Sequence, residues 1–246
     1  MDYYYEYFYR LRRFFRFHPK EFYELLVSIA VIAFIWGFDD GQPVFSLTHW
    51  LSNYLEVFLI VSISFFVHVS AQKLLGLWHG YRIEYHFWTT GLLIGVIVAL
   101  LTKGALPLLL PGGILFYHMS KQRIGEFRYG LNFFQCGIAA TAGPVGNVLF
   151  AMFAKTMQWI FFPQSPFLDQ LYWFNLVFAM FMMLPLPNLP GIAMFFGSRL
   201  TYVLFFGMIF SYVLLVALFG FYSLIFAVIF GFIIYGLFVW YVEYGK

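Results

Sequence analysis

Few side chains in this sequence could do chemistry, and the most prominent lies in apolar surroundings. His68 sits within the run FLIVSISFFVHVSAQKLLGLW. An imidazole there is an ionisable group where water is scarce, which makes it a functional candidate. The packing alternative is a neutral ring hydrogen-bonded to Gln72, Ser70 or a backbone carbonyl. Residues at i and i+4 share a helical face, so Gln72 stands on the same face as His68, and a carboxamide is not among the usual zinc ligands. The neighbour of His68 is Val69, which cannot take up a proton. His79 is eleven residues further on, on nearly the same face. At the helical rise it would lie about 16 Å away, too far to share an ion with His68 in an unbroken helix. His86 and His118 are expected together at an interface. With His79 they could form a surface metal site, although interfacial histidines usually snorkel and hydrogen-bond. Glu56 precedes His68 by twelve residues. It is expected to snorkel or to pair with Lys155, and a proton-path role is the bolder reading.

The elements that carry these residues must be membrane helices. Of 246 residues, 63% are hydrophobic and 10% charged, with mean hydropathy +0.82. Soluble domains carry about 25% charged residues, so a water-facing surface cannot be covered. A helix needs about 20 apolar residues to cross the hydrocarbon core. The chain suffices for about six crossings with short loops, and the expected fold class is an all-α, multi-pass membrane protein. The 35 Phe suit lipid-facing surfaces, whereas Tyr and Trp suit both interfaces. The single Cys136 excludes an internal disulfide.

Along the chain, residues 1–21 form a basic aromatic lead carrying Arg10, Arg12, Arg13, Arg16 and Lys20. Such a segment beside a span normally meets anionic lipid, so it is read as an interfacial topology anchor and not as a nucleic-acid arm. Residues 22–246 are expected to form one transmembrane domain. Spans are predicted at about 22–37, 50–77, 132–162, 171–187, 200–218 and 222–241. GYRIEYH at 80–86 alternates and reads as a short interfacial strand. Residues 88–118 contain Lys103-Gly104, Pro107, Pro111, Gly112 and Gly113, and are predicted as a re-entrant hairpin of broken helices covered by protein. KQRIGEFRYG at 121–130 also alternates and is expected to pair with 80–86. With both termini cytoplasmic, the N-terminal arginines, Lys73, Arg82, Lys121, Arg123, Arg128, Arg199 and Lys246 fall on the inner side. Asp39, Asp40 and Asp169 fall outside, and Lys103 and Lys155 are the positive exceptions. This satisfies the positive-inside bias and is expected of the plasma membrane of a prokaryote.

Three segments carry a resemblance: His68-Val69-Ser70-Ala71-Gln72, then Ala142-Gly143-Pro144-Val145-Gly146-Asn147, then Leu184-Pro185-Leu186-Pro187-Asn188-Leu189-Pro190-Gly191. In order and spacing they resemble the core helices of archaeal and bacterial site-2 proteases. In that family of intramembrane zinc metalloproteases, one helix carries H-E-x-x-H and a later one A-G-P-x-x-N. A third supplies a zinc-binding Asp before a Gly, in a run like N-x-x-P-x-P-P-x-D-G. The resemblance covers about 50–200, with two extra C-terminal spans at about 200–241. It implies that the three helices gather around the former zinc position. Carried over residue by residue, the first His is His68, the general-base position is Val69, the second His is Gln72 and the Asp is Pro190. The upstream Asn of the last motif falls on Met182. The resemblance thus implies a degenerate member with no catalytic residue and no metal. Gly143, Pro144 and Asn147 are expected to permit close helix packing or to line a groove, together with Pro185 and Pro187.

The function expected on this basis is that of a pseudoprotease, which binds a transmembrane partner or client as scaffold, assembly factor or chaperone, within a hetero-oligomer. Zinc enters only under the alternative of an active intramembrane hydrolase with atypical ligands. A small transporter or channel subunit is a third reading, weakened by the scarcity of intramembrane charge and the lack of internal repeats. A purely structural membrane subunit is a fourth.

Overall fold

The computed structural model describes residues 2–42, 44–118, 130–220 and 223–244. The chain divides into two compact units, Met1–Tyr129 and Gly130–Lys246. The first contains α1 (Asp2–Phe14), α2 (Pro19–Trp36), α3 (Leu47–Trp78), β1 (Tyr81–Phe87), α4 (Thr89–Thr102) and β2 (Gly112–His118). The second contains α5 (Phe133–Phe161), α6 (Pro166–Met182), α7 (Pro190–Gly197), α8 (Arg199–Phe219) and α9 (Leu224–Tyr244).

Four of these helices are long and apolar enough to cross a membrane: α3, α5, α8, and α9 over Leu224–Val242. The expected six included α2 and α6, which have 18 and 17 residues. At about 1.5 Å per residue these reach 25–27 Å, short of the roughly 30 Å hydrocarbon core. The first turns of α2 also carry Lys20, Glu21 and Glu24. Predicted span 171–187 stops early because Pro185 and Pro187 follow: the residue before a proline is pushed out of the helical region. Those prolines instead lead into the separate short helix α7, with Pro190 at its start.

In the first unit α3 packs along α2. Its side chains cap the α2 C-terminus from outside: Asn53 Nδ2 donates to the Gly37 carbonyl at 3.1 Å, and Trp50 Nε1 to that of Phe38 at 3.3 Å. Ile32, Ile35, Val57, Ile60, Val61 and Phe65 are buried on these two helices. In the second unit, one core cluster joins Ala151 of α5, Tyr172 and Leu176 of α6, and Tyr212 and Leu215 of α8. A second joins Ala179 and Met183 to Met194, Tyr202 and Ile209.

The re-entrant hairpin of broken helices is corrected. Its first half is the regular helix α4, and its end is the strand β2, antiparallel to β1 with Tyr81 opposite His118 and Phe87 opposite Gly112. Two features favour the strand. Ile114 to His118 alternate between half-buried and exposed positions. Gly112 has φ 138°, and a Cβ there would overlap the His86 carbonyl and Phe87 Cα, so only glycine permits this approach. The expected partner of β1 at 121–130 lies almost wholly outside the described residues.

Candidate functional site

His68, Val69 and Gln72 all lie on α3 and are all buried, Val69 and Gln72 completely. His68 and Gln72 share one face by their i, i+4 spacing, and each engages neighbouring groups. The donor set on this face is therefore one imidazole and one carboxamide, with a valine where a general base would stand. Tetrahedral zinc needs three protein ligands drawn from His, Cys and carboxylate, and a water-activating site also needs a carboxylate base. This helix face does not fit zinc.

In the second unit, α5 runs as one continuous helix through Pro144. Gly143, Pro144 and Asn147 are buried on it. Asn147 Nδ2 donates to Asn175 Oδ1 on α6 at 2.7 Å, and Asn175 Nδ2 donates to the Leu171 carbonyl at 2.8 Å. Asn147 thus acts as an interhelical polar clasp, with both carboxamides fully buried. Pro185 and Pro187 lie exposed in the α6–α7 connection, where Asn188 adopts a left-handed φ of 61°. Pro190 is buried and occupies the first turn of α7. It offers no donor or acceptor beyond its carbonyl. A Cβ at Gly191 would overlap the Met183 carbonyl, so this glycine lets α7 begin directly against the end of α6. Met182, at the upstream Asn position, is buried at that same end.

Two sequence expectations are corrected. Lys155, expected to face Glu56, donates to Asp169 Oδ1 at 2.7 Å and to Gln158 Oε1 at 2.8 Å, so that the first-turn carboxylate of α6 is its partner and the α5–α6 corner is locked. His86 and His118 do not sit together. They occupy opposite ends of the ribbon, His118 beside Tyr81 and His86 beside Gly113. Five positions along a strand separate them by about 17 Å, so His79, His86 and His118 cannot share one ion. His79 follows the C-terminus of α3, and burial holds its imidazole below the usual histidine range.

Sequence reasoning missed a densely connected polar group of the first unit. Glu21 and Glu24, one turn apart on α2, are both buried. The Glu21 carboxylate lies 2.9 Å from Lys73 Nζ of α3 and accepts the Tyr85 backbone N–H at 2.9 Å. Lys73 also donates to the Arg16 carbonyl at 2.9 Å and lies 4.6 Å from the centre of the Phe17 ring. Glu24 Oε2 is 2.7 Å from His86 Nδ1 and accepts the Phe87 N–H at 3.2 Å. The two carboxylates thus receive alternate N–H groups on the edge of β1 that faces away from β2. The Tyr85 hydroxyl donates to Ser28 Oγ or to the Pro111 carbonyl, at 2.8 and 3.0 Å, and burial raises its pKa strongly. The available signal was the pair Glu21, Glu24 opening one apolar run and Lys73 closing the next.

No protein-family model matches the chain, and no solved structure matches it. Among curated proteins, the chain is similar to one of Methanocaldococcus jannaschii named "Putative zinc metalloprotease". The two are 27% identical over 186 residues, which cover 72% of this chain and 84% of the relative.

Proposed function

We propose that the chain is a site-2-protease-like membrane protein that has lost its zinc site and binds transmembrane segments without cutting them. The observation that carries this reading is the buried α3 face His68-Val69-x-x-Gln72, where a metalloprotease needs His, Glu and a second His. The similarity to a protein named as a zinc metalloprotease supports the scaffold. The residue types at these positions argue against the chemistry. One imidazole cannot hold zinc in place of three ligands, and valine offers no base. Removing the carboxylates also removes buried charges that would be costly without the metal. In this reading the chain is one multi-pass domain of a prokaryotic plasma membrane, with both termini cytoplasmic, and its partner is a transmembrane protein in a hetero-oligomer.

The name of the relative favours a second reading, an active intramembrane hydrolase with atypical ligands. Crosslinking in native membranes, followed by purification of the full chain, separates the two. The binding reading expects an intact transmembrane protein captured in fixed proportion, unaltered by His68→Ala. Cleaved fragments that disappear in His68→Ala would overturn it.

A further inference from the structure

Helix α1 has two faces with different employment. Its inner face closes the C-terminal end of α3. The Tyr7 hydroxyl donates to the Leu74 carbonyl at 3.3 Å and Arg10 to that of Leu77 at 3.3 Å. Tyr4 and Tyr7 set their rings edge-on against Trp78, at 6.1 and 5.0 Å between centroids. The last turn of α3 has no basic residue of its own, and the His79 and Gly80 N–H groups meet its Leu75 and Leu77 carbonyls. Arg10 supplies from outside both a donor and the positive charge that the negative end of a helix favours.

Among the described residues of the first unit, the outer face has no such partner. Tyr5, Phe8, Tyr9, Arg12 and Arg13 are exposed there, and Arg16 is exposed just beyond the helix. Glu6 is spent on Arg10, so it does not neutralise Arg12 or Arg13. Arg13 donates to the Tyr9 hydroxyl at 2.6 Å and retains further guanidinium donors. Large aromatic rings mixed with arginines suit neither water nor hydrocarbon; they suit the headgroup layer, where rings embed and guanidinium groups meet phosphate. The same unit contains α3, long and apolar enough to span a membrane, so a bilayer is the surface this face would meet.

We propose that the outer face of α1 docks on the anionic phospholipid surface beside α3, so that membrane charge holds the cap on the α3 C-terminus in place. The proposal does not depend on whether the chain binds or cuts a client. The test uses the full chain in phosphatidylcholine vesicles containing a trace of spin-labelled phosphatidylglycerol or spin-labelled phosphatidylcholine, and reads the fraction of label immobilised by the protein. The wild type should prefer the anionic label, and the preference should weaken as salt screens it. Arg12→Gln with Arg13→Gln should lower the preference by up to about fivefold for each arginine removed. Arg12→Lys with Arg13→Lys should keep most of it. Both pairs change exposed side chains, so folding is retained. An unchanged preference in the glutamine variant overturns the proposal. So does a loss in the lysine variant as complete as in the glutamine variant, because charge would then not be the determinant.

Discussion

Lys73 and Glu21, 52 residues apart, face each other at 2.9 Å with side chains 3% and 2% exposed. A buried pair of this kind is poor evidence of net stabilisation, yet breaking it by removing one partner is expensive. Lys73→Met leaves the Glu21 carboxylate buried with only N–H donors and should destabilise the protein by about 3–5 kcal/mol. Adding Glu21→Gln removes the stranded charge and keeps an acceptor for the Tyr85 N–H, so the double variant should recover part of the loss. Reversible unfolding in mixed micelles measures both. A double variant no better than Lys73→Met alone would show that the pair is not what holds α2 to α3.

The Asn147–Asn175 clasp predicts a smaller, coupled effect. Interhelical hydrogen bonds within membranes contribute about 0.6 kcal/mol on average, with an upper range near 1.7. Asn147→Ala and Asn175→Ala should each cost about 1–2 kcal/mol, because each takes one hydrogen-bond partner from a buried carboxamide. The double variant should cost clearly less than their sum, and a double-mutant cycle in micelles checks the coupling. Strict additivity would mean that the two residues act separately.

Arg10 and Tyr7 cap α3 from outside, so their loss should be felt at the end of that helix. Arg10→Leu with Tyr7→Phe should fray the last turn, at a cost of about 0.5–1.5 kcal/mol for each hydrogen bond removed. Amide hydrogen exchange should speed up at Leu75–His79 and stay unchanged at Val57–Phe65. Exchange that is unaltered near residue 78 would contradict the capping role.

Tyr85 gives a pH dependence with a definite sign. Burial raises its folded-state pKa, so above about pH 10 the unfolded chain loses the phenolic proton before the folded one does. Its contribution is complete below that pH and is lost as pH rises towards the folded value. Stability should therefore fall more steeply above about pH 10 in the wild type than in Tyr85→Phe. At neutral pH, Tyr85→Phe should be the less stable by about 1 kcal/mol, for the hydrogen bonding lost at Ser28 and Pro111. Parallel alkaline slopes for the two proteins would remove Tyr85 from the account.

Much of the fold was legible because apolar runs of spanning length leave few alternatives. Helices α3, α5, α8 and α9 lie within a few residues of their predicted bounds, and β1 was visible in the alternation of GYRIEYH. β2 was not, because ALPLLLPGGILFYH has no polar alternation at its start and reads as a broken apolar helix. Only the pairing with β1 shows that Gly112 and Gly113 open a strand. The first two short motifs fall on α3 and α5, whereas the third, expected at the end of a span at 171–187, lies in the α6–α7 connection and the first turn of α7. The Glu21–Lys73–Glu24 group was not anticipated. Charges at the ends of spans look like boundary markers, and nothing in spacing across 52 residues says that two of them meet. Histidines misled for the opposite reason: His86 and His118 are both interfacial by sequence, and only the strand register separates them.

Elemental analysis of the purified full chain, prepared without chelator, tests the central claim most directly. With His68 and Gln72 on one buried face of α3 and Val69 buried beside them, zinc should be far below one ion per chain, with no difference between the wild type and His68→Ala. About one zinc per wild-type chain, lost on His68→Ala, would contradict it.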